Sequence, residues 1–471
     1  MTKRNSARST QGMATLLKEG RRLLARAQVT KATVYGVLGA GWGVMAGPVT
    51  MILIAGYFTP QLQGYYYTFG AILALNILVE LGFSNIVKYF ASCEWARLSI
   101  DASGRIVGDP AAYSRLVSLG RVSVRWYLLI GTVVAVGVGT AGYVFFSISP
   151  DAGVSWLVPW CVLSVLTGIN VLLLPVWALL EGCGQVNQAY FFRAVGSVVG
   201  ALATWASIVT GLGLWTAPVS LAVTFSWSVG SIWWRYRSFL QSFLADVPGS
   251  LVNWSAEIWA VQWRLAISYL SGYFAYYVFT PILFWFHGPV LAGRFGMSLS
   301  IVGALATVAT MWSTPRGPQF AVMIAKREYE ALDTLLSRIL VATTTVLLAG
   351  GAAIWSIVYV LSAMDHPFSS RLLPPLPMAL LVLGMIVSTL PHPTSVYLRA
   401  HKQEPYVAIS VTSAVLIGAL SLILGKPYGA LGISASYMVS QLILLPWFLR
   451  IFLQCRRKWH SHSEDPVRTP A

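Results

Sequence analysis

The sequence predicts an all-α polytopic membrane protein, with about twelve transmembrane helices in two pseudo-symmetric six-helix lobes. Three observations predict it. Long apolar stretches recur along the 471 residues, each able to cross the ~30 Å hydrocarbon core that roughly 20 helical residues span. All but three of the 32 Lys and Arg fall on one side of those stretches or at the boundary there, the exceptions being Arg294, Arg371 and Lys426. Hydrophobic residues make up 56% of the chain and charged residues only 10%, well under the roughly 25% of soluble domains. Backbone groups in lipid find no water, so each stretch must satisfy its own N–H and C=O groups as a helix.

Taken in order, residues 1–33 form a basic, polar N-terminal segment, followed by an apolar run too long for a signal-peptide core and therefore expected to be retained. Spans are predicted at 34–57, 65–90, 124–147, 155–180, 188–210 and 214–236, which make the first lobe (34–236). A charged linker, 237–262, leads to spans at 263–286, 290–314, 339–362, 376–398, 406–424 and 430–453, the second lobe (263–453), with a tail at 454–471. An even number of spans and the one-sided cations place both termini in the cytoplasm by the positive-inside rule, and the expected location is a bacterial cytoplasmic (inner) membrane. The formal charge of +16 then reads as topology signal and contact with anionic membrane lipids, at about 1 kcal/mol per cation. It does not point to nucleic acid. Cys93, Cys161, Cys183 and Cys455 form no CxxC pair, which argues against a disulfide framework or a zinc site.

The lobes resemble each other. The turn and helix start at 58–65 match 286–293, Lys88 then corresponds to Arg316, and Gln188-Ala189-Tyr190 matches Glu404-Pro405-Tyr406. Six spans return the chain to its starting side, so the two halves would be parallel repeats about an axis along the membrane normal.

The stretch Gly64-Tyr65-Tyr66-Tyr67-Thr68-Phe69, leading to Val79-Glu80-Leu81-Gly82 and Phe90-Ala91-Ser92-Cys93-Glu94-Trp95-Ala96, resembles the polysaccharide-transporter branch (Wzx-type flippases) of the multidrug/oligosaccharidyl-lipid/polysaccharide exporter superfamily. So do Gln262-Trp263-Arg264-Leu265-Ala266-Ile267-Ser268 and Ala325-Lys326-Arg327-Glu328-Tyr329. The motifs are loose, but span count and duplication fit over nearly the whole chain. The resemblance implies two lobes around a central cavity that move lipid-linked oligosaccharide, a polysaccharide or O-antigen precursor, to the outer leaflet. It also implies that other polysaccharide-assembly proteins are partners.

Ionisable groups inside spans cost about 2.5–3.5 kcal/mol at the bilayer centre and are functional candidates by default. Asn76, Glu80, Ser84 and Lys88 recur every four residues, a polar stripe on one helix face. Glu80 is a candidate for proton coupling, set against a structural acid bonded to a neighbouring helix or paired with Lys88. Arg264, Ser268, Arg294, Arg193 and Lys88 are candidate substrate contacts, because guanidinium and ammonium groups replace the water of a phosphate. Against each cation stands snorkelling to the headgroups. Gly39, Gly43 and Gly47 form a double GxxxG ridge that predicts close helix packing. Pro48, Pro281 and the Pro391-His392-Pro393 break are candidate gating kinks, and His392 is a second titratable candidate.

The expected activity is alternating-access export, with no cofactor and H+ or Na+ as the coupling ion, since no nucleotide-binding motif appears. A multidrug cation exporter of the same architecture and a membrane-embedded glycosyltransferase or polymerase are the competing readings. The first should line its cavity with acids. The second usually needs a sizeable outward loop, and the longest here is about a dozen residues.

Overall fold

The computed structural model describes residues 31–76, 80, 82–148, 153–245, 276–401 and 405–461. Among them, eight helical stretches are long and apolar enough to cross a membrane. The first lobe opens with α1 (Lys31–Tyr57), which packs along α8 (Val186–Val209). Between them, the second span is split into α2 (Pro60–Leu73) and α3 (Phe83–Trp95). A β-hairpin, Leu98–Ile100 with Ile106–Gly108, joins it to α4 (Pro110–Thr132), which continues through a π-helical turn at Val133–Val138 into α5 (Gly139–Ile148). The fourth span comprises α6 (Leu157–Val171) and α7 (Leu173–Gly182), and α9 (Thr216–Gln241) closes the lobe against α8.

The second lobe repeats this plan. Its first span enters the described residues as α10 (Phe279–His287) and turns into α11 (Pro289–Thr310), continued by α12 (Gly317–Ala325). α13 (Tyr329–Ala363) is unbroken, the next span is α14 (Pro375–Thr389) with α15 (His392–Ala400), and α16 (Val407–Ser461) contains the last two passes. The passes of α16 turn at Gly429, whose φ of +54° suits a glycine. Their antiparallel course shows in Tyr406 against Phe448 and in Gln441 donating to Ser413 Oγ at 3.3 Å.

Equivalent pieces do equivalent work. α2 starts with Pro60 behind the Thr59 cap, which accepts from Leu62 N at 3.2 Å, and α11 starts with Pro289 behind Gly288. Proline suits that first helical position, where its missing N–H leaves nothing unbonded. α3 packs on α7 as α12 packs on α15. The predicted duplication is visible as a pseudo-symmetric pair of bundles.

Several local expectations need correcting. The polar stripe of Asn76, Glu80, Ser84 and Lys88 does not lie on one straight helix: α2 ends at Leu73, Asn76 and Glu80 are helical beyond it, and α3 starts at Phe83 behind Gly82, held at φ +70°. Among the described residues the glycine ridge of α1 packs closely only at Gly39, where a Cβ would meet Ala194 at 3.5 Å; at Gly43 and Gly47 it would meet none of them within 4 Å. α1 runs through Pro48 without a non-helical residue. By contrast, Pro391 and Pro393 do sit at a break, between α14 and α15, and Pro281 lies in the first turn of α10.

Candidate functional site

The lobes join at the end opposite the basic loops. There α2 crosses α11 so closely that a Cβ on Gly64 would fall 2.0 Å from the Pro289 carbonyl oxygen, and one on Gly293 would fall 2.8 Å from Gly64 N. Glycine is needed because backbone meets backbone. Buried Gln63 spans the joint, its Nε2 donating to Gly293 O at 2.9 Å and to Arg371 O at 3.1 Å. Arg371 Nη2 in turn donates to Phe58 O at 2.6 Å, satisfying a carbonyl at the end of α1. One apolar core serves both lobes at this end, including Phe58, Tyr65 and Phe69 from the first and Phe284, Phe295 and Leu373 from the second. Toward the basic end the cores separate, one around Leu116, Leu180 and Phe239, the other around Phe320, Leu336 and Tyr397. Among the described residues, one core joins the lobes at one end and two separate cores lie at the other.

Just inside the joint lies a cavity of about 440 Å³ between α2, α6, α9, the residues leading into α10, and α11. Tyr66, Tyr67, Tyr276 and Tyr277 dominate its walls, with Thr167 and Ser300 among the remainder. Among the described residues its lining carries no formal charge. The expectation of a cationic chamber therefore fails at this point, and the cations lie nearer the basic end.

There, Lys88 on α3 and Arg193 on α8 converge on one carboxylate. Lys88 Nζ lies 2.5 Å from Glu181 Oε2, and Arg193 Nη1 lies 2.8 Å from Oε1. The Glu181 side chain is only 7% exposed, but Lys88 and Arg193 remain 42% and 44% exposed, so both present free donors to the space beyond. Arg193 also stacks over Trp177 at 5.4 Å, which fixes its plane. Two cations on one anion leave the cluster with a net positive charge.

Glu80 is not part of that cluster. It is helical and lies just before the Gly82 break in the second span, where Oε1 accepts from Ser84 Oγ at 2.6 Å and from the Tyr127 hydroxyl of α4 at 3.1 Å. Arg294 does not line the cavity; its Nε is buried without a hydrogen-bond partner among the described residues. His392 faces Ser313, with Nδ1 and Oγ 3.0 Å apart, and lines a smaller cavity of about 190 Å³ with Arg399 and Tyr406 inside the second lobe. Arg264 and Ser268 lie outside the described residues.

Glu181, Gln63, Arg371 and the tyrosine walls were not singled out from the sequence as site residues. Glu181 carried a signal as an acid at the end of an apolar span, Leu179-Leu180-Glu181, and Arg371 as one of the three cations away from the basic side.

No protein-family model matches the chain, and no curated protein matches it in sequence. Solved structures do match. An inward-facing multidrug resistance MATE family transporter of the MOP superfamily superposes with a TM-score of 0.62 at 15% identity, over 91% of this chain and 99% of that one. This chain shares the fold of that transporter. The MATE multidrug transporter DinF-BH matches at 0.59 and 11% identity, over 90% of this chain and 95% of that one. The lipid II flippase MurJ, in an inward closed conformation, matches at 0.54 and 12% identity, over 92% and 94%. At these identities the likeness concerns the fold, and it makes this chain a polytopic membrane protein of that architecture.

Proposed function

We propose that this protein is a flippase that carries lipid-linked oligosaccharide from the cytoplasmic to the outer leaflet of a bacterial inner membrane by alternating access. The observation that carries the reading is the Lys88–Glu181–Arg193 cluster: two half-exposed cations held by one buried carboxylate. Phosphate oxygens are strong acceptors for such donors, and guanidinium pairs with them bidentately. Glu181 holds both cations in place and offsets one of their charges, so an arriving diphosphate replaces water without having to order long side chains. In the inward-open state proposed here, a gap between the basic-end cores would let the lipid tail stay in the bilayer while the head group enters. Closing that gap and parting the Gln63–Arg371 joint would release the glycan on the other side. Arg264 and Ser268 keep their assignment as further substrate contacts.

An ion gradient is the proposed energy source. Glu80 is the proton-coupling candidate: its carboxylate accepts two hydroxyl bonds across a helix break, and a proton on it would remove an acceptor and loosen α4 from the second span. Na+ is the alternative ion.

The experiment is flipping of a lipid-linked oligosaccharide by the reconstituted protein under an imposed pH or sodium gradient. Wild type should flip, and Lys88→Gln with Arg193→Gln should lose at least about tenfold in rate, equivalent to about 1.4 kcal/mol. Wild-type rates in that double variant, at normal insertion, would overturn the proposal. A second reading, a multidrug exporter, lacks the expected acids among the described lining residues, but the aromatic rings of the cavity suit a lipophilic cation. Gradient-driven efflux of tetraphenylphosphonium with no flipping would establish it.

A further inference from the structure

We infer that the tyrosine-walled cavity is a binding site for neutral sugar rings of the transported glycan, separate from the cationic cluster that takes the phosphate. The inference rests on the flippase reading. It adds to it a division of labour and a substrate specificity.

The walls are built in two opposed halves. Tyr66 and Tyr67 come from the first lobe, ring centroids 5.6 Å apart and nearly perpendicular; Tyr276 and Tyr277 come from the second, 5.3 Å apart and again nearly perpendicular. Each lobe therefore offers rings in two orientations to whatever lies between. Tyr276 is anchored by its hydroxyl to Leu299 O at 3.1 Å, so its ring serves as a wall. The hydroxyls of Tyr66 and Tyr67 have no hydrogen-bond partner among the described residues. Sites of this kind, aromatic with a few placed polar groups and a few hundred Å³ in volume, suit small neutral ligands.

Chemistry selects the ligand. A pyranose ring has an apolar C–H face for an aromatic ring and hydroxyls around its rim for Tyr, Thr167 and Ser300. A uronate, phosphate or ammonium group in the same place would lose its water and find no counter-charge among the described lining residues. A lipophilic cation would gain from the ring faces but leave the hydroxyls unused.

Position selects the length. Tyr67 and Lys88 lie on the same span, 21 positions apart in sequence, at most about 32 Å at helical rise. A single sugar on a diphosphate cannot reach from one to the other, whereas an oligosaccharide can, with its distal sugars in the cavity. The cavity would thus test whether a glycan has grown to length and whether its distal rings are uncharged.

The test uses the full chain in nanodiscs and measures binding, by saturation-transfer NMR and competition, of three neutral tetrasaccharides (gluco-, galacto- and manno-configured). Tetragalacturonate and tetraphenylphosphonium serve as charged probes. At least one neutral probe should bind, with saturation passing from aromatic protons, and tetragalacturonate should not. Tyr67→Ala should weaken binding about tenfold. Because Tyr67 also packs against Gly296, a second variant is needed. Gly70→Leu adds a side chain where a Cβ meets nothing within 4 Å among the described residues, so it should fill the cavity without disturbing the fold and abolish binding. Lys88→Gln should change free-sugar binding less than twofold.

Failure of all three neutral probes to bind, equal binding of tetragalacturonate, or binding indifferent to Gly70→Leu would each overturn the inference. The two readings fail separately. Flipping that survives Gly70→Leu at the wild-type rate removes the sugar site and leaves the flippase. Flipping indifferent to loss of both Lys88 and Arg193 removes the flippase reading, while sugar binding by the free protein remains a separate measurement.

Discussion

Glu181 holds the charge arrangement of the first lobe together. Its carboxylate is almost fully buried and bonded to two cations, so replacing it leaves two like charges side by side. A fully buried pair broken in this way costs about 3–5 kcal/mol; with both cations more than a third exposed, about 1–2 kcal/mol is the expected scale. Glu181→Gln should lower the melting temperature of the purified protein. Adding Lys88→Gln should recover part of the loss, because the two sites are coupled. Equal melting of Glu181→Gln and wild type would show that the cluster adds nothing to stability. Arg264 carries its prediction from the sequence: Arg264→Ala should insert normally and export less glycan, and export at the wild-type rate would end its assignment.

At the scale of elements, the crossing of α2 and α11 is decided by glycine. Gly64→Val would drive a branched side chain into the Pro289 carbonyl. The joint should then fail to close, with flipping reduced at least about tenfold and a cysteine placed near Thr59 labelled faster by a membrane-impermeant thiol reagent. Unchanged labelling would mean that the helices slide to accommodate the change. The hairpin after α3 makes a different prediction. Asp101 Oδ1 accepts from Ser103 Oγ at 2.7 Å, from Arg105 N at 2.8 Å and from Ser103 N at 2.9 Å. These bonds, that from the Ser103 hydroxyl foremost, and the neighbouring Arg105 charge hold its carboxyl below the usual carboxylate value. A group with a depressed folded pKa contributes stability above its unfolded pKa and loses it as pH falls through the folded one. Hydrogen exchange at Ser103 and Arg105, corrected for intrinsic rate, should therefore hold steady from neutral pH to about 4 and accelerate below. Acceleration already between pH 7 and 5 would point to another group.

For the whole molecule, the question is what keeps one end shut. The shared apolar core supplies most of the contact, and the polar links through Gln63 and Arg371 add direction. Arg371→Ala removes the donor to Phe58 O and should bias the ensemble toward the state open at that end. A hydrogen bond from a charged group is worth about 1.5–3 kcal/mol, enough to change populations by tenfold or more. The check is the distance between spin labels on the two lobes beside Gly64 and Gly293, which should broaden toward longer values. An unchanged distribution would mean that the apolar core alone decides the state.

Cation placement and apolar spacing were sufficient to determine the architecture. Each span solves its own backbone hydrogen bonding, so its existence is a local property, and the Pro391–Pro393 break was legible for the same reason. The lobe repeat was legible because prolines and glycines at helix starts serve the same local need in both halves. The candidate site was only partly legible. Lys88 and Arg193 stood out as cations in apolar surroundings, but their shared partner is 93 positions from one of them. The stripe through Glu80 dissolved because Gly82 breaks the helix on which its period relied. The cavity could not be read at all: its walls come from five spans and consist of ordinary membrane-protein tyrosines. Hydrophobicity and charge act along the chain and are therefore written in it. Which side chains meet across a gap depends on how closely backbones can approach at Gly64 and Gly293, and only the packed lobes decide that.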